Sequence, residues 1–198
     1  IMFGGRRAHL APLVYESFNW QHGVYIGATM ASERTAAQYG KQGEIRRDPM
    51  AMLPFCGYNM GDYFKHWLKM GTLMKNPPKI FHVNWFRQDE KGKFLWPGYA
   101  ENLRVIDWIL RRCNGTVDAK ESPIGHLPHK KDLNLTGLKL KNGTLDNLLK
   151  INRKDWLNEV SSIEEFFSKF KGCLPQEMTD ELKSAKKRLK KCKSRGKI

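Results

Sequence analysis

The stretch from Lys79 to Arg112, KIFHVNWFRQDEKGKFLWPGYAENLRVIDWILRR, limits what this chain can fold into more than any other. Ile80 to Trp85 is a short apolar run of β-branched and aromatic residues, which predicts a strand. Arg87 to Lys93 is a polar turn with one glycine. Phe94-Leu95-Trp96 returns to apolar, and Pro97-Gly98 turns the chain again. From Asn102 a helical repeat puts Leu103, Ile106, Ile109, Leu110 and Cys113 on one face. A strand, a hairpin-like loop and a loop-to-helix junction in one segment fit an α/β fold. They present Phe86, Phe94, Trp96, Tyr99 and Asn102 at or near loop ends.

Rings on loops beside an amide are the chemistry of a base-binding slot. Aromatic faces stack on a purine for roughly 1–3 kcal/mol per base, but every purine has such a face. An amide offers a donor and an acceptor together and can tell purines apart. Asn102 is the only side-chain amide near the Pro-Gly turn. Any one of these aromatics alone reads as core; their grouping around Pro97-Gly98 and Asn102 favours the slot.

Elsewhere the pattern is coarser. Ile1-Met2-Phe3 and Pro12 to Tyr15 read as strands, and Val24 to Met30, apolar with two glycines, as another. Between the first two lies Gly4-Gly5-Arg6-Arg7. Its glycines would let a backbone approach a ligand, and its arginines could grip phosphate oxygens, although a solvated turn is the commoner use of such a tetrapeptide. His22, in Phe18-Asn19-Trp20-Gln21-His22-Gly23, reads as structural first and as a catalytic base second. Ala31 to Glu44 has no apolar face and reads as a loop. Gly61 to Lys75 predicts an amphipathic core helix, ended by Asn76-Pro77-Pro78. Thr116 to Gly143 has weak periodicity. Leu145 to Ile151 predicts a short helix. Asp155 predicts the cap of a longer one, with Trp156, Val160, Ile163, Phe167 and Phe170 on one stripe. A last helix is expected from Gln176 to about Lys193, with these C-terminal helices packed on the outside.

Charge narrows the partners. The chain carries +15, but Leu182 to Ile198 holds nine basic residues and no acidic one, leaving 26 basic against 20 acidic elsewhere. The body is mildly basic, compatible with phosphate ligands, and the tail reads as a solvated face. Four scattered cysteines form no CxxC and no Cys/His cluster, so no zinc site is expected, and a reducing compartment is. Asn114-Gly-Thr, Asn134-Leu-Thr and Asn142-Gly-Thr read as turns rather than glycosylation sites. No apolar run reaches 18 residues, so no membrane span is expected. A start at Ile1 fits a chain cut from something larger. No GxxxxGK[ST] occurs and no Asp/His set has metal spacing, so the expectation is that no metal ligand lies in this chain.

Val83-Asn84-Trp85-Phe86, Gly92-Lys93-Phe94-Leu95-Trp96-Pro97-Gly98 and Glu101-Asn102 together resemble the guanine-binding segment of GTP-dependent phosphoenolpyruvate carboxykinases. The motif is long and spaced, and the likeness runs through nearly the whole chain while covering the C-terminal portion of that enzyme. It implies an α/β C-terminal nucleotide-binding portion over residues 1–198, with a mixed sheet and flanking helices. Within it lie a mobile lid at 31–44, the guanine segment at 79–112, and C-terminal helices with a basic tail at 144–198.

The implied reaction is oxaloacetate + GTP giving phosphoenolpyruvate, GDP and CO₂, a step of gluconeogenesis. It uses Mn²⁺, with ligands upstream of this chain, and Mg²⁺ with GTP. GTP binding is implied for Arg6, Phe86, Phe94, Tyr99, Ala100, Glu101 and Asn102, with Arg6 at the transferred phosphoryl group. Phe86 and Tyr99 would sandwich guanine, Phe94 would line the slot, and Asn102 would read the base edge. The lid match runs through Glu33, Thr35, Ala36 and Ala37 and weakens from Gln38. Tyr99-Ala100 stands where the family has Phe-Gly, which keeps the stacking face. Ala8 replaces the family's proline after the arginine pair.

By the same resemblance the protein would be a cytoplasmic monomer, with a mitochondrial form left open, that binds no nucleic acid; the lack of a long apolar run argues against a membrane, and this chain alone would be inactive. Two other readings stay open on the residues: a GTP-binding paralogue without turnover, and a module for single-stranded nucleic acid. The second predicts basic residues interleaved with the aromatics, whereas the basic excess sits largely in the tail.

Overall fold

In chain order the elements are β1 (Met2–Gly4), β2 (Val14–Glu16), α1 (Trp20–Ala28), β3 (Ala31–Glu33), β4 (Ile45–Arg47), α2 (Met60–Leu73), β5 (Phe81–Val83), α3 (Asn102–Cys113), β6 (Lys120–Ser122), β7 (Gly125–Leu127), α4 (Thr144–Leu149), α5 (Arg153–Ser168) and α6 (Gln176–Lys191). The computed structural model describes residues 1–35 and 43–191. Five strands form one sheet in the order β1-β5-β2-β7-β6, and β3 pairs with β4 in a separate two-stranded ladder. β1 runs parallel to β5; the other neighbours in the large sheet are antiparallel.

At the central strands β2 and β5 both faces of the sheet are buried, which is why these two read as apolar runs rather than alternating ones, whereas the edge strands β1 and β6 are largely exposed. Side chains still sort by the two-residue period. Val14, Phe81 and Val83 face a cluster with Leu13, Trp96, Val105, Trp108, Ile109 and Leu148. Tyr15 and Ile80 face the other cluster, where Phe3 meets α1, α2, α5 and α6. The fold is α/β with a mixed sheet and helices on both faces.

The expected strand at Val24 to Met30 is instead helical, within α1. Asn19 caps it by accepting from the backbone N–H of His22 at 2.8 Å. Its two glycines, four apart on one face, are close-packing positions. A Cβ on Gly23 would meet Ile80 at 2.5 Å, and one on Gly27 would meet Phe3 at 2.6 Å. The glycines of Gly4-Gly5 likewise serve the protein's own backbone: a Cβ on Gly4 would meet the Val83 carbonyl at 2.9 Å, and one on Gly5 would strike that of Ala31.

Other details differ from the sequence reading for identifiable reasons. The buried face of α3 is Val105, Trp108 and Ile109, while Leu103 and Leu110 are 69% and 57% exposed. The Trp108 ring sets the helix's rotation by meeting Phe81 edge-on, centroids 6.0 Å apart. Thr116 to Gly143 contributes β6 and β7 through the turn Ser122-Pro123-Ile124-Gly125. α5 is capped by Asn152, which accepts from Lys154 and Asp155, and not by Asp155. α6 is no outer layer: Met178, Leu182, Ala185 and Leu189 are core. Only its other face is solvated, where Lys183, Lys186, Lys187, Lys190 and Lys191 line one groove.

Candidate functional site

The loop after β5 is built by short local bonds. Asp89 Oδ1 accepts from the backbone N–H groups of Lys91 and Lys93, both at 2.9 Å, and Gly92 supplies a positive φ of 75°. These bonds, that of Lys93 first, hold the Asp89 carboxyl below the usual range. The hairpin thereby closes with Gln88 bridged to Phe94. It brings Phe94 against Phe86, ring centroids 6.0 Å apart and planes at 73°. Phe94 is 51% exposed and Phe86 half-buried.

Pro97-Gly98 turns the chain at a φ of 97°, a conformation L side chains rarely adopt, so glycine is needed there. The Gly98 carbonyl then accepts from the N–H groups of both Glu101 and Asn102, at 2.9 and 3.1 Å, and starts α3. Tyr99, at the tip, is 96% exposed, and Ala100 is exposed beside it. Among the described residues Tyr99 makes no ring contact with Phe86 or Phe94. Glu101 is turned back onto Arg104, whose Nη1 donates to the Asn134 carbonyl at 2.7 Å.

Asn102 is the first residue of α3, yet its side chain does not cap the helix. Its Oδ1 accepts from the indole Nε1–H of Trp96 at 2.9 Å. Trp96, grouped with the loop rings on sequence grounds, is 1% exposed and belongs to the core.

The glycine–arginine turn lies against this loop. Arg6 places its guanidinium carbon 4.7 Å from the centroid of Phe86, a cation–π contact. Asn84 locks the two segments together. Its Nδ2 donates to the Arg7 and Ala11 carbonyls, both at 2.8 Å, and its Oδ1 accepts from Phe86 N at 3.2 Å and Arg7 N at 3.4 Å. Arg6 is also joined to β3: its N–H donates to Ser32 Oγ at 3.0 Å, and Glu33 N donates to the Arg6 carbonyl at 2.8 Å. Glu33 Oε1 accepts from Ala8 N at 2.9 Å. Glu33 therefore sits in the stem of the 31–44 segment. Thr35 is half-buried just beyond it, and Ala36 and Ala37 lie outside the described residues.

Arg7 does not share the role offered to the arginine pair. It is buried and donates to both carboxylate oxygens of Glu159, at 3.0 and 2.6 Å. Arg47, in β4, reaches the same carboxylate at 2.7 Å. Burial would raise the Glu159 pKa, but the two guanidinium groups outweigh it and hold the carboxyl below the usual range. Three segments far apart in sequence meet there, and no local pattern announces it. His22 is equally internal. Burial pushes its pKa to about 3, and its Nδ1 accepts from the Phe18 N–H at 3.1 Å.

Among the described residues no three His, Cys, Asp or Glu side chains group as a metal site. None of the described helices is long and apolar enough to cross a membrane, and Cys56, Cys113 and Cys173 are free thiols.

Residues 1–188 match the family described as the phosphoenolpyruvate carboxykinase C-terminal P-loop domain. Three similar proteins carry the name phosphoenolpyruvate carboxykinase [GTP]. That of Thermoplasma volcanium is 52% identical, that of Chlamydia caviae 53% and that of Neocallimastix frontalis 49%. Each match covers 96% of this chain and 32% of the relative, so the chain spans about a third of the length of the relatives it matches. On these matches, and with the mixed α/β sheet described above, the chain belongs to the GTP-dependent phosphoenolpyruvate carboxykinase family, as its C-terminal domain.

Proposed function

We propose that this chain supplies the guanine slot, one phosphate-contacting arginine and the active-site lid of an enzyme that converts oxaloacetate and GTP into phosphoenolpyruvate, GDP and CO₂. The observation that carries the reading is the junction of Arg6 with Phe86. A cation suited to phosphate oxygens lies 4.7 Å from an aromatic face suited to a base, as a nucleotide with its base on one and its phosphates toward the other would require. Phe94 walls the slot, and Tyr99 is the exposed face that folds over the base. Asn102 reads the base edge, with Ala100 and Glu101 completing the turn around it.

Phosphoryl transfer is mostly positioning and charge neutralisation. Arg6 serves both, and its bonds to Ser32 and Glu33 tie it to the lid stem. The lid, at Glu33, Thr35, Ala36 and Ala37, excludes water so that the enolate of pyruvate is phosphorylated before it takes a proton. The described residues do not form a metal site, and no step here is assigned to Mn²⁺ or Mg²⁺. Their ligands and the phosphate cradle are assigned to the two thirds of the relatives' length that this chain does not span.

The test is phosphoenolpyruvate formation from oxaloacetate by the full-length enzyme with GTP, ITP or ATP. GTP and ITP should support turnover and ATP poorly. A preference for ATP, or no turnover with any nucleotide, would contradict the reading.

A further inference from the structure

We propose that Trp96 sets the base preference of the slot, by fixing which way the Asn102 amide faces. The inference rests on the guanine reading above and says how discrimination is achieved.

A primary amide has two ends with opposite hydrogen-bonding character, and rotation by half a turn exchanges them. With its amino group toward the base edge, Asn donates to guanine O6, which only accepts. Rotated, its carbonyl instead accepts from the 6-amino group of adenine, which only donates. An asparagine free to rotate would therefore discriminate weakly between the two.

Asn102 is not free to rotate. The indole Nε1–H of Trp96 is a donor only, and it points at the amide from 2.9 Å. Trp96 is 1% exposed, so water cannot take over that bond, and turning the amide would set an amino group against a buried N–H with both left unpaired. Trp96 is in turn held in the apolar cluster with Val105, Trp108 and Ile109, so the donor cannot follow the amide round. Oδ1 is thereby directed inward. Among the described residues Nδ2 has no protein acceptor, which leaves the amino group as the end offered to a ligand. That end suits a 6-oxopurine, so guanine and hypoxanthine nucleotides are accepted and adenine nucleotides refused.

Two variants of the full-length enzyme test this through the ratio of kcat/KM for GTP to that for ATP, with ITP as a second 6-oxopurine. Trp96→Phe keeps an aromatic ring in the core and removes the orienting donor, along with part of the buried indole volume, whose loss would act on all nucleotides alike. The GTP:ATP ratio should fall about 5- to 150-fold, the range set by one unpaired buried polar group, with ITP following GTP and ATP gaining in absolute terms. A purely structural loss would lower all three together. Asn102→Asp keeps the acceptor for Trp96 but replaces the outward donor with a second carboxylate oxygen. It should depress GTP and ITP about 100-fold while sparing ATP. If Asn102→Asp collapses the ratio and folded Trp96→Phe leaves it unchanged, the guanine reading stands and the orienting role of Trp96 is overturned. If neither variant moves the ratio, Asn102 does not meet the base and both fall.

Discussion

Two clusters of polar and aromatic groups flank the Arg6-Arg7 turn, and they treat their bonding capacity in opposite ways. At Glu159 the charges are matched inside the protein: Arg7 and Arg47 converge on one buried carboxylate, with only the Arg7 Nε of that fork left without a partner among the described residues. At the Phe86–Asn102 loop the capacity is left over. Phe94 is half exposed, Tyr99 is almost wholly so, and among the described residues the Asn102 amide is tied at one end only. The adjacent arginines divide between the two, Arg7 inward and Arg6 onto Phe86. A cluster with its charges matched internally holds a fold together, and one with open faces has chemistry left for a ligand.

The contrast predicts that substitutions in the first cluster act on stability and those in the second on ligands. The largest effect should come from Glu159→Gln, which leaves two guanidinium groups buried without a counter-charge. Breaking a buried pair from one side costs about 3–5 kcal/mol, readable in a denaturant titration. A loss below about 1 kcal/mol would mean that the knot is solvated in practice. Acid should attack the same side. Burial, aided by Arg7, lowers the His82 pKa to about 4, and burial lowers that of His22 to about 3. Both are neutral in the fold and protonate in the unfolded chain near 6.5. Stability is therefore intact above about pH 6.5 and falls as pH drops toward about 4, by roughly 3 kcal/mol from His82 alone. Glu159, whose folded pKa is depressed, adds to the loss as pH falls through the glutamate range. A stability curve flat from pH 7 to 4.5 would contradict these placements.

On the open side the effects should be smaller and should appear in binding. Phe86→Ala should weaken GTP, ITP and ATP alike by roughly 1–3 kcal/mol, because stacking ignores base identity, with the three nucleotides compared by titration calorimetry. The smallest effect belongs to Tyr99→Phe. The side chain is 96% exposed and keeps its ring, so stability and kcat/KM for GTP should each stay within about 0.5 kcal/mol of the parent. A large loss from that change would show that the hydroxyl, and not the face, is what the slot uses.

What could be read from the sequence follows the same division. The loop was legible because its bonds are local: Asp89 to Lys91 and Lys93, Gly98 to Glu101 and Asn102, all within a few residues. The sheet was partly legible from β1, β2 and β5. β6 and β7 were not, because three-residue strands in a Gly- and Pro-rich stretch leave no period. α1 misled because it is buried on every side from His22 to Ala28, so it has no polar face by which a helix is recognised, and its glycines fit it closely against Ile80 and Phe3. α3 misled because it carries two apolar stripes, and only contact with Phe81 decides which is buried. The Glu159 knot spans 152 residues from Arg7, and nothing short of the fold could have announced it. Asn84 and Trp96 lay in plain view within the recognised motif. What the sequence withheld was their direction, inward to the turn and inward to an amide.

The guanine slot stands or falls on whether Asn102 meets the base rather than merely completing the bond of Trp96. Asn102→Ala in the full-length enzyme tests it, by kcat/KM for GTP, ITP and ATP. A loss of about 1–3 kcal/mol is expected for GTP and ITP, the cost of an unpaired polar edge, with ATP changed little. Equal losses for all three nucleotides would make Asn102 a structural partner of Trp96 and contradict the account.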